Sequence, residues 1–485
     1  MASMLTNLEQ EGNKMSKTFQ SENDELMLSF LNRTFLKAYK DPTSTSGLWN
    51  SIEYIISPDC NLSCNYCYVA RHKDGLYPPN IRKAKDIKKH GLMINDWIVE
   101  NEYKPHFELF SGEATLHQST FDIAYDIMDR VTYADTVISI PTNFTWLLND
   151  KMTKKVEDLM DKSINSRAKV SLSASFDGWY CEPNRPFAGN HLDGGKQDSL
   201  GIWNWNKGKT YKDPRLYSED YYSKVFEFTN KYGNGFHPMI YSENIDKWKD
   251  NWLWFQEQFK KYNISFANIY LLEVRNPEWS AEQCKQFEEF CRFLVHWTFD
   301  YFNKDISAFM DFVIRGKAFN LLTSIIAKTG RGIGCSIQST LMCRLGDLAI
   351  VPCHRTSYDH LNFGKFNVQN DKIVGFKSQN IEHMIHEYSF DAKAQPYCEQ
   401  CPINDICPHG CLGAQYEVFG DPYIPIPTVC RMEHAKLRGL IKGYMETETL
   451  MPIYYRLPDD YKRGWDFMME IIQNENKIIQ NENKS

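Results

Sequence analysis

The chain has 485 residues, a net charge of −7 and a pI near 6.0, and 42% of its residues are hydrophobic. This composition is typical of a globular protein with a buried core, and its acidic balance disfavours nucleic-acid binding. No apolar run approaches the roughly 20 residues that span a bilayer, and the N-terminus lacks the apolar segment of a signal peptide. We therefore expect a cytoplasmic protein of two or three domains.

Apolar runs that alternate with amphipathic stretches predict repeated strand–helix units from residue 51 onward. The predicted strands are 51–57, 106–110, 136–141, 169–176, 236–241 and 266–274. Helices are predicted between most of them, for example over 120–131 and 246–262. Six such units predict an α/β fold, a partial (β/α)6 TIM-like barrel that is short of the eight units of a closed barrel.

Composition divides the chain into five predicted segments. They are an N-terminal tail and helix (1–49), the partial barrel (50–279), a helical linker (280–331), an irregular cysteine-rich domain (332–431), and a C-terminal helix with a tail (432–485). The barrel carries a long insertion, 179–219, which is either a lid or binding segment or a surface excursion without a role. The tail repeats IIQNENK at 471–477 and 478–484, which indicates a helical or frayed extension without a catalytic role.

The fourteen cysteines are the strongest functional signal. In a reducing cytosol, cysteines bind metals or act in catalysis more often than they form disulfides. Cys60, Cys64 and Cys67 lie in one loop directly after the first predicted strand. Three thiolates on a four-iron cluster leave one iron open to a chelating small molecule. A zinc site is the alternative, although the unequal spacing differs from the paired CxxC units of most zinc knuckles.

This CxxxCxxC spacing resembles the signature of radical S-adenosylmethionine (SAM) enzymes. Further motifs follow the next predicted strands in that family's order. They are SGE at 111–113 for the family's Gly-Gly-Glu, TNF at 142–144 for its Thr-Asn-Gly, and SFDG at 175–178 for its Ser-Leu-Asp-Gly. The resemblance implies SAM contacts from Tyr66, Ser111, Gly112, Glu113, Asn143 and Ser175, beside a 4Fe–4S cluster on Cys60, Cys64 and Cys67. In α/β folds of this kind, ligands bind at the carboxyl ends of the strands, where all these motifs fall.

A second set of eight cysteines lies in the C-terminal part of the chain. Its members are Cys335, Cys343, Cys353, Cys398, Cys401, Cys407, Cys411 and Cys430. The compact run Cx2Cx5Cx3C with a final cysteine resembles the SPASM domain, a C-terminal extension of radical SAM enzymes that act mainly on peptides and proteins. Eight thiolates suffice for two fully ligated 4Fe–4S clusters, and a pair of zinc sites is the alternative.

The resemblance also implies how these cysteines are shared. One auxiliary cluster would be held by Cys335, Cys343, Cys353 and Cys411, and the other by Cys398, Cys401, Cys407 and Cys430. Of these ligands, Cys343 is the one that the resemblance implies least strongly, because members of the family differ in the number of cysteines at that position. His354 and His409, next to this set, are either further ligands or hydrogen-bonding neighbours of the clusters, and we favour the second interpretation.

Three functions compete. The first is a peptide maturase that cross-links or otherwise oxidises a ribosomally made precursor, and the second is a sulfatase-maturase-like enzyme that oxidises Cys or Ser to formylglycine. The third is a metal-stabilised binding protein without activity, which the SAM motifs disfavour. Asp177 is a candidate base by its position, and a role in a backbone turn is equally expected. We favour the peptide maturase.

The cofactors and partners that the resemblance implies are three 4Fe–4S clusters, SAM, a peptide or protein substrate, and a flavodoxin- or ferredoxin-type electron donor. Only about 50 residues precede the first predicted strand. That length is too short for the winged-helix domain that binds the leader peptide in many maturases. A leader would then be bound by the 179–219 insertion or by a separate leader-peptide-binding protein, unless there is no leader.

Overall fold

The computed structural model describes residues 51–77, 81, 84–101, 103, 105–131, 133, 136–187, 218–314, 320–323, 340–378 and 396–482. The predicted N-terminal tail and helix, most of the 179–219 insertion and Cys335 lie outside the described residues. The described residues fall into two compact units. Unit 1 lies within 1–174, 185–228 and 336–390, and unit 2 lies within 175–184, 229–335 and 391–485.

Eleven strands are described. In chain order they are β1 (Ser51–Ile55), β2 (His106–Phe110), β3 (Val137–Thr142), β4 (Lys169–Ala174), β5 (Gly235–Phe236), β6 (Met239–Ile240), β7 (Leu272–Glu273), β8 (Thr340–Arg344), β9 (Ala349–Val351), β10 (Gly364–Gln369) and β11 (Lys372–Ser378).

The described α-helices alternate with β1 to β4 and then dominate the C-terminal half. They are α1 (Tyr68–Leu76), α2 (Ile87–Glu100), α3 (Gln118–Arg130), α4 (Asp150–Ile164), α5 (Glu219–Tyr232), α6 (Trp248–Lys261), α7 (Ala281–Tyr301), α8 (Ile306–Ile314), α9 (Asn320–Thr323), α10 (Pro396–Glu399), α11 (Leu412–Phe419), α12 (Pro427–Glu446), α13 (Leu450–Tyr454) and α14 (Asp459–Glu482). None of the helices in the described part of the chain is long and apolar enough to cross a membrane.

Unit 1 is built on one sheet with the strand order β11-β10-β9-β8-β1-β2-β3-β4. The strands from β8 through β1 to β4 pair in parallel. The helices α2, α3 and α4 join consecutive parallel strands, which a crossover connection requires. Burial alternates along β3 and β4, as expected for strands with different environments on their two faces. The predicted α/β class with a partial TIM-like barrel and a cysteine-rich C-terminal region is confirmed.

Unit 2 is organised around the contact between α7 and α12. Gly439 and Gly443 of α12 allow a close approach of the two helices, because a Cβ at either position would clash with α7. Cys284 and Cys291 are buried in α7. They are small buried residues at this helix contact.

Two strand predictions are wrong in extent. Residues 236–241 form two short strands, β5 and β6, because Pro238 between them has no N–H to donate to a ladder. Of residues 266–274 only β7 is a regular strand, because a turn precedes it. In that turn Asn268 N–H donates to the Ser265 carbonyl at 2.9 Å.

Strands β8 to β11 lie in the segment that was predicted to be irregular. The hairpin of β10 and β11 turns at Asn370 and Asp371, which both have positive φ, and this two-residue turn is a signal that the sequence contained. The chain after residue 448 is also more helical than a tail, since α14 extends through the first IIQNENK copy to Glu482.

Candidate active site and cysteine cavity

The loop after β1, which carries the first three cysteines, is tied to the segment that follows β2. Ser111 Oγ and Gly112 N–H both donate to the Ser57 carbonyl, at 2.6 and 2.8 Å. Glu113 N–H donates to the Asp59 carbonyl at 2.8 Å. Serine in place of the family's first glycine therefore adds an anchor for the cysteine loop. The predicted SGE motif and the cysteine loop are neighbours at the carboxyl ends of β1 and β2.

Gly112 is the point of closest approach between these two segments. A Cβ on this residue would lie 2.5 Å from the Asp59 carbonyl oxygen and would also clash with the Pro58 carbonyl. Both obstacles are backbone atoms, which cannot rotate away as a flexible side chain does. Only glycine fits here without moving the residues directly before Cys60.

The Glu113 carboxylate is buried and accepts four hydrogen bonds. One oxygen accepts from Thr115 N–H at 3.1 Å, Thr115 Oγ1 at 2.6 Å and Thr142 Oγ1 at 2.7 Å. Among the described residues, Asn143 N–H alone donates to the other oxygen, at 2.6 Å. Burial raises the pKa of Glu113, and these donors oppose that rise. The second oxygen thus has room for one further donor.

Asn143 connects this carboxylate to the cysteine loop. Its Nδ2 donates to Asn61 Oδ1 at 2.8 Å and lies 3.9 Å from Cys60 Sγ. Asn61 in turn donates to Thr145 Oγ1 at 2.8 Å. A hydrogen-bond network therefore runs from Glu113 through Asn143 to the first cysteine, with a branch from Asn143 through Asn61 to Thr145.

Phe144 explains how the family's Thr-Asn-Gly turn is kept without its glycine. Phe144 adopts a left-handed conformation with φ of 62°, which is rare for a bulky residue and is the conformation that glycine supplies freely. Its side chain is fully buried and packs at a ring-centroid distance of 5.1 Å from Trp146 and 5.8 Å from Phe228. Aromatic packing holds the strained turn in place.

Cys60, Cys64 and Cys67 are half-buried. Burial raises the pKa of Cys60, and the nearby Glu113 carboxylate raises it further. Burial also raises the pKa of Cys67, whereas the backbone N–H groups at the start of α1 oppose that rise. Tyr66 is half-buried in the same loop. Positive charge or a metal at these thiols would favour the thiolate form.

Ser175 and Asp177 belong to unit 2. Ser175 is half-buried and directly follows β4. The buried Asp177 carboxylate accepts from Met239 N–H at 2.9 Å, and Asn251 Nδ2 donates to the Asp177 carbonyl at 2.7 Å. These contacts favour the turn-stabilising role of Asp177 over the role of a base.

Two members of the second cysteine set lie in unit 1. Cys343 is fully buried in β8, opposite Tyr54 of β1, and burial raises its pKa. Cys353 is half-buried and packs against the same core cluster as Cys67. His354 Nδ1 lies 3.0 Å from Glu53 Oε1. This contact favours a hydrogen-bonding role for His354 over a role as a cluster ligand.

The other five described cysteines of that set line one open cavity in unit 2. They are Cys398, Cys401, Cys407, Cys411 and Cys430. Short turns hold them: Cys401 N–H donates to the Cys398 carbonyl at 2.9 Å, and His409 N–H donates to Cys407 Sγ at 3.4 Å. The resemblance assigned Cys411 to one auxiliary cluster and Cys398, Cys401, Cys407 and Cys430 to the other, and all five lie along this cavity. His409 hydrogen-bonds to Asn404, so it also has a protein partner.

The thiols are not arranged around a single point. Among the described residues, no three Cys, His, Asp or Glu side chains are grouped to hold one metal ion. A zinc site needs four ligands that converge at about 2.0–2.3 Å. In an iron–sulfur cluster each thiolate binds a separate iron, so the ligands stand around a larger volume. Five thiols along the wall of one open cavity therefore fit a cluster.

Sequence reasoning missed several residues that shape these sites. Asn61 directly follows Cys60, and Thr115 lies two residues after Glu113. Their closeness to recognised motif residues was a signal that could have identified both. A buried group of charges beside the cavity, which comprises Glu273, Arg275, Glu433 and Lys436, had no such signal, because β7 and α12 are distant in sequence.

No protein-family model and no curated protein matches this chain. Solved structures do match. Native anSMEcpe with bound AdoMet (SAM) has a TM-score of 0.52 and 15% sequence identity, over 83% of this chain and 98% of that chain. anSMEcpe with bound AdoMet and Kp18Cys peptide matches with the same values. SuiB from Streptococcus suis has a TM-score of 0.43 and 14% identity, over 85% of this chain and 83% of that chain, which supports no conclusion. The similarity to anSMEcpe shows a shared fold.

Proposed function

Because the chain has the fold of the radical SAM SPASM-domain maturases, we propose that it is a radical SAM enzyme that oxidatively modifies or cross-links a peptide. The observation that carries the proposal is the hydrogen-bond network from Glu113 through Asn143 to Cys60, in which Asn143 also donates to Asn61. It joins the cysteine loop, the SGE motif and the TN motif into one site at the carboxyl ends of β1, β2 and β3. A binding protein without activity has no need of this arrangement.

The residues of unit 1 have distinct roles in this proposal. Cys60, Cys64 and Cys67 would hold a 4Fe–4S cluster, which together with SAM supplies a 5′-deoxyadenosyl radical that abstracts hydrogen from the substrate. The free position on the Glu113 carboxylate would accept a hydrogen bond from the SAM ammonium group. Tyr66, Ser111, Gly112 and Asn143 would complete the SAM contacts of this unit, and the resemblance also gives Ser175 of unit 2 a SAM contact. Burial of Glu113 and Asn143 excludes water from this side of the site.

The five cavity cysteines of unit 2 would be ligands of auxiliary iron–sulfur clusters, and the resemblance gives the same role to Cys335, Cys343 and Cys353. The auxiliary clusters would accept the electron that the substrate radical loses on oxidation. A flavodoxin- or ferredoxin-type protein would reduce the SAM-binding cluster. A peptide substrate is supported by anSMEcpe, a protein of the same fold that has been solved with bound peptides.

The proposal is tested by anaerobic reconstitution of the full chain, followed by measurement of iron content and of 5′-deoxyadenosine released from SAM and a reductant. We expect about 12 irons per chain, which corresponds to three clusters. Cys64→Ala should lose about four irons and reduce 5′-deoxyadenosine to the background, while the C-terminal clusters stay loaded. Cys284→Ala, which removes a buried thiol outside both cysteine sets, is the matched control and should behave as the wild type.

Two outcomes would contradict the proposal. Zinc in place of iron with no SAM cleavage would leave a metal-stabilised binding protein. Unchanged 5′-deoxyadenosine formation by Cys64→Ala would reject the assignment of the first cluster. With a peptide in hand, mass spectrometry separates the two candidate reactions: a cross-link removes hydrogen only, whereas formylglycine formation from cysteine replaces sulfur with oxygen.

A further inference from the structure

Unit 2 contains four buried charged side chains that we call the ionic quartet: Glu273, Arg275, Glu433 and Lys436. Arg275 contacts Glu273 Oε1 at 2.9 Å and Glu433 Oε1 at 3.2 Å. Lys436 Nζ contacts Glu273 Oε1 at 2.8 Å and Glu433 Oε2 at 2.5 Å. Three of the four side chains are at most 6% exposed, and Arg275 is 20% exposed. Two carboxylates and two cations thus alternate in a closed ring with no net charge.

The pKa shifts of Glu273, Arg275 and Lys436 all favour the charged forms of these side chains. Burial alone would raise the pKa of Glu273, but Lys436 and Arg275 outweigh burial and lower it to about 2. The same carboxylates raise the pKa values of Arg275 and Lys436 against the effect of burial. The quartet is therefore a fixed arrangement of charges.

The quartet touches the five-cysteine cavity at two points. The Glu433 side chain is part of the cavity wall and lies one helical turn after Cys430 on α12. Arg275 Nη1 donates to the Gly410 carbonyl at 3.3 Å, directly before Cys411. Arg275 also interacts electrostatically with Cys411, and Glu433 with Cys407 and Cys430. Glu433, Arg275 and, at Cys407, Lys436 thus all act electrostatically on the cavity thiols.

Folding alone does not account for such a group. Removal of four charges from water is costly, and apolar residues of similar volume often serve stability as well as a buried ion network does. A cluster with four thiolate ligands, however, carries negative charge that increases on reduction. Its reduction potential depends on nearby charge and hydrogen bonds. Fixed charges at the cavity wall would set that potential.

We infer that the ionic quartet positions the cysteine turns and sets the reduction potentials of the auxiliary clusters that the cavity thiols ligate, with Glu433 and Arg275 acting in opposite directions. This inference rests on the proposed function, because it requires iron–sulfur clusters on these thiols. Glu433 disfavours a reduced cluster by repulsion, and Arg275 favours it by attraction. The quartet is thereby a positioning element for electron transfer.

The test is a redox titration of the reconstituted full chain, monitored by EPR. Cys64→Ala serves as the background, so that the SAM-binding cluster does not contribute to the spectra. In that background Glu433→Gln should raise the midpoint potential of an auxiliary cluster, and Arg275→Gln should lower it. Arg275→Lys keeps the charge and should return the potential toward that of the background protein.

The matched control is Glu288→Gln. Glu288 pairs with Lys442 and Arg438 between the same two helices, α7 and α12, but it is not part of the cavity wall. It should leave the potential unchanged. A merely structural role of the quartet would change iron content or thermal stability without opposite shifts in potential.

Shifts of the same sign for Glu433→Gln and Arg275→Gln, or no shift in either, would overturn the inference. If one of these variants does not retain iron, the sign of the shift in midpoint potential of the other variant still tests the inference. Absence of iron from the wild-type protein would instead reject the proposed function itself, so the two failures are distinguishable.

Discussion

In unit 1 the cysteine loop is anchored by hydrogen bonds to two neighbouring parallel strands, whereas in unit 2 five cysteines lie on short turns and helix ends around a cavity. The first loop is in contact with a sheet that has its own buried core. Among the described residues, the second site is lined by the four-residue α10, the turn of residues 401–406 and the ends of α11 and α12. Under the proposed function, this difference predicts that unit 1 organises its cysteines before a metal binds, while the cavity of unit 2 depends on the metal for its order.

Removal of iron is the strongest test of this difference between the two units. We expect amide hydrogen exchange in the segment 396–411 to become faster by at least a thousandfold in the apo protein, because cluster binding stabilises the turns that carry the thiols. The strands β2 and β3 should keep their protection. The measurement is hydrogen–deuterium exchange with mass spectrometry on apo and reconstituted protein. Equal loss of protection in both regions would show that unit 1 also needs its metal to fold.

Gly112→Ala perturbs the anchored cysteine loop of unit 1 directly. The added Cβ meets the Asp59 carbonyl oxygen at 2.5 Å, so the backbone before Cys60 must move. A displacement of about 1 Å near the reacting groups costs roughly a hundredfold in rate, and we expect at least that loss in 5′-deoxyadenosine formation. Gly235→Ala is the control, since its Cβ would stand 3.4 Å from Asn268 Oδ1, an ordinary contact. Near-normal activity of Gly112→Ala would mean that the close approach is not required.

Most features of unit 1 that depend on neighbouring residues in the chain could be predicted from the sequence. Each motif of unit 1 follows its strand directly in the chain, so the predicted strands together with the motifs of the resemblance were enough to place Cys60, Glu113 and Asn143 at one edge of a sheet. The parallel pairing of β1 with β8 was not predictable, because nothing in either strand records a partner about 290 residues away. The ionic quartet was missed for the same reason. Charged residues are expected at the surface, and only tertiary packing reveals that these four are buried together.

Glu113→Gln tests whether unit 1 is organised without metal. The amide group offers one acceptor oxygen in place of two, so at least one buried donor among Thr115, Thr142 and Asn143 loses its partner. A lost hydrogen bond to a buried charged group costs about 2–3 kcal/mol. We expect that decrease in the free energy of unfolding of the metal-free protein, measured by urea denaturation. Glu100→Gln, at an exposed pair with Lys372, should cost almost nothing. If the two variants are equally stable, the network does not hold the apo site.

The smallest expected effect concerns Glu108, which faces Glu53 across the pairing of β1 and β2. Burial, together with the charge of Glu53, raises the pKa of Glu108 to about 7, and His354 opposes the rise. The folded protein therefore holds this proton more tightly than the unfolded chain does. The resulting stabilisation is fully present below about pH 4.5, declines as pH rises, and is lost above about pH 7.

Glu108→Gln removes this titration. Between about pH 5 and about pH 8 the variant should lose roughly 1–2 kcal/mol less stability than the wild type, an amount reduced from the full shift because the carboxyl is only partly buried. Urea denaturation at both pH values measures the difference. Exposed Glu243→Gln controls for the loss of a surface charge and should follow the wild-type curve. Parallel curves for Glu108→Gln and the wild type would mean that Glu108 is ionised in the folded protein throughout this range. The polar interior of unit 1 would then be solvated well enough to hold two neighbouring carboxylates, and its order without metal could not rest on dry packing around the sheet.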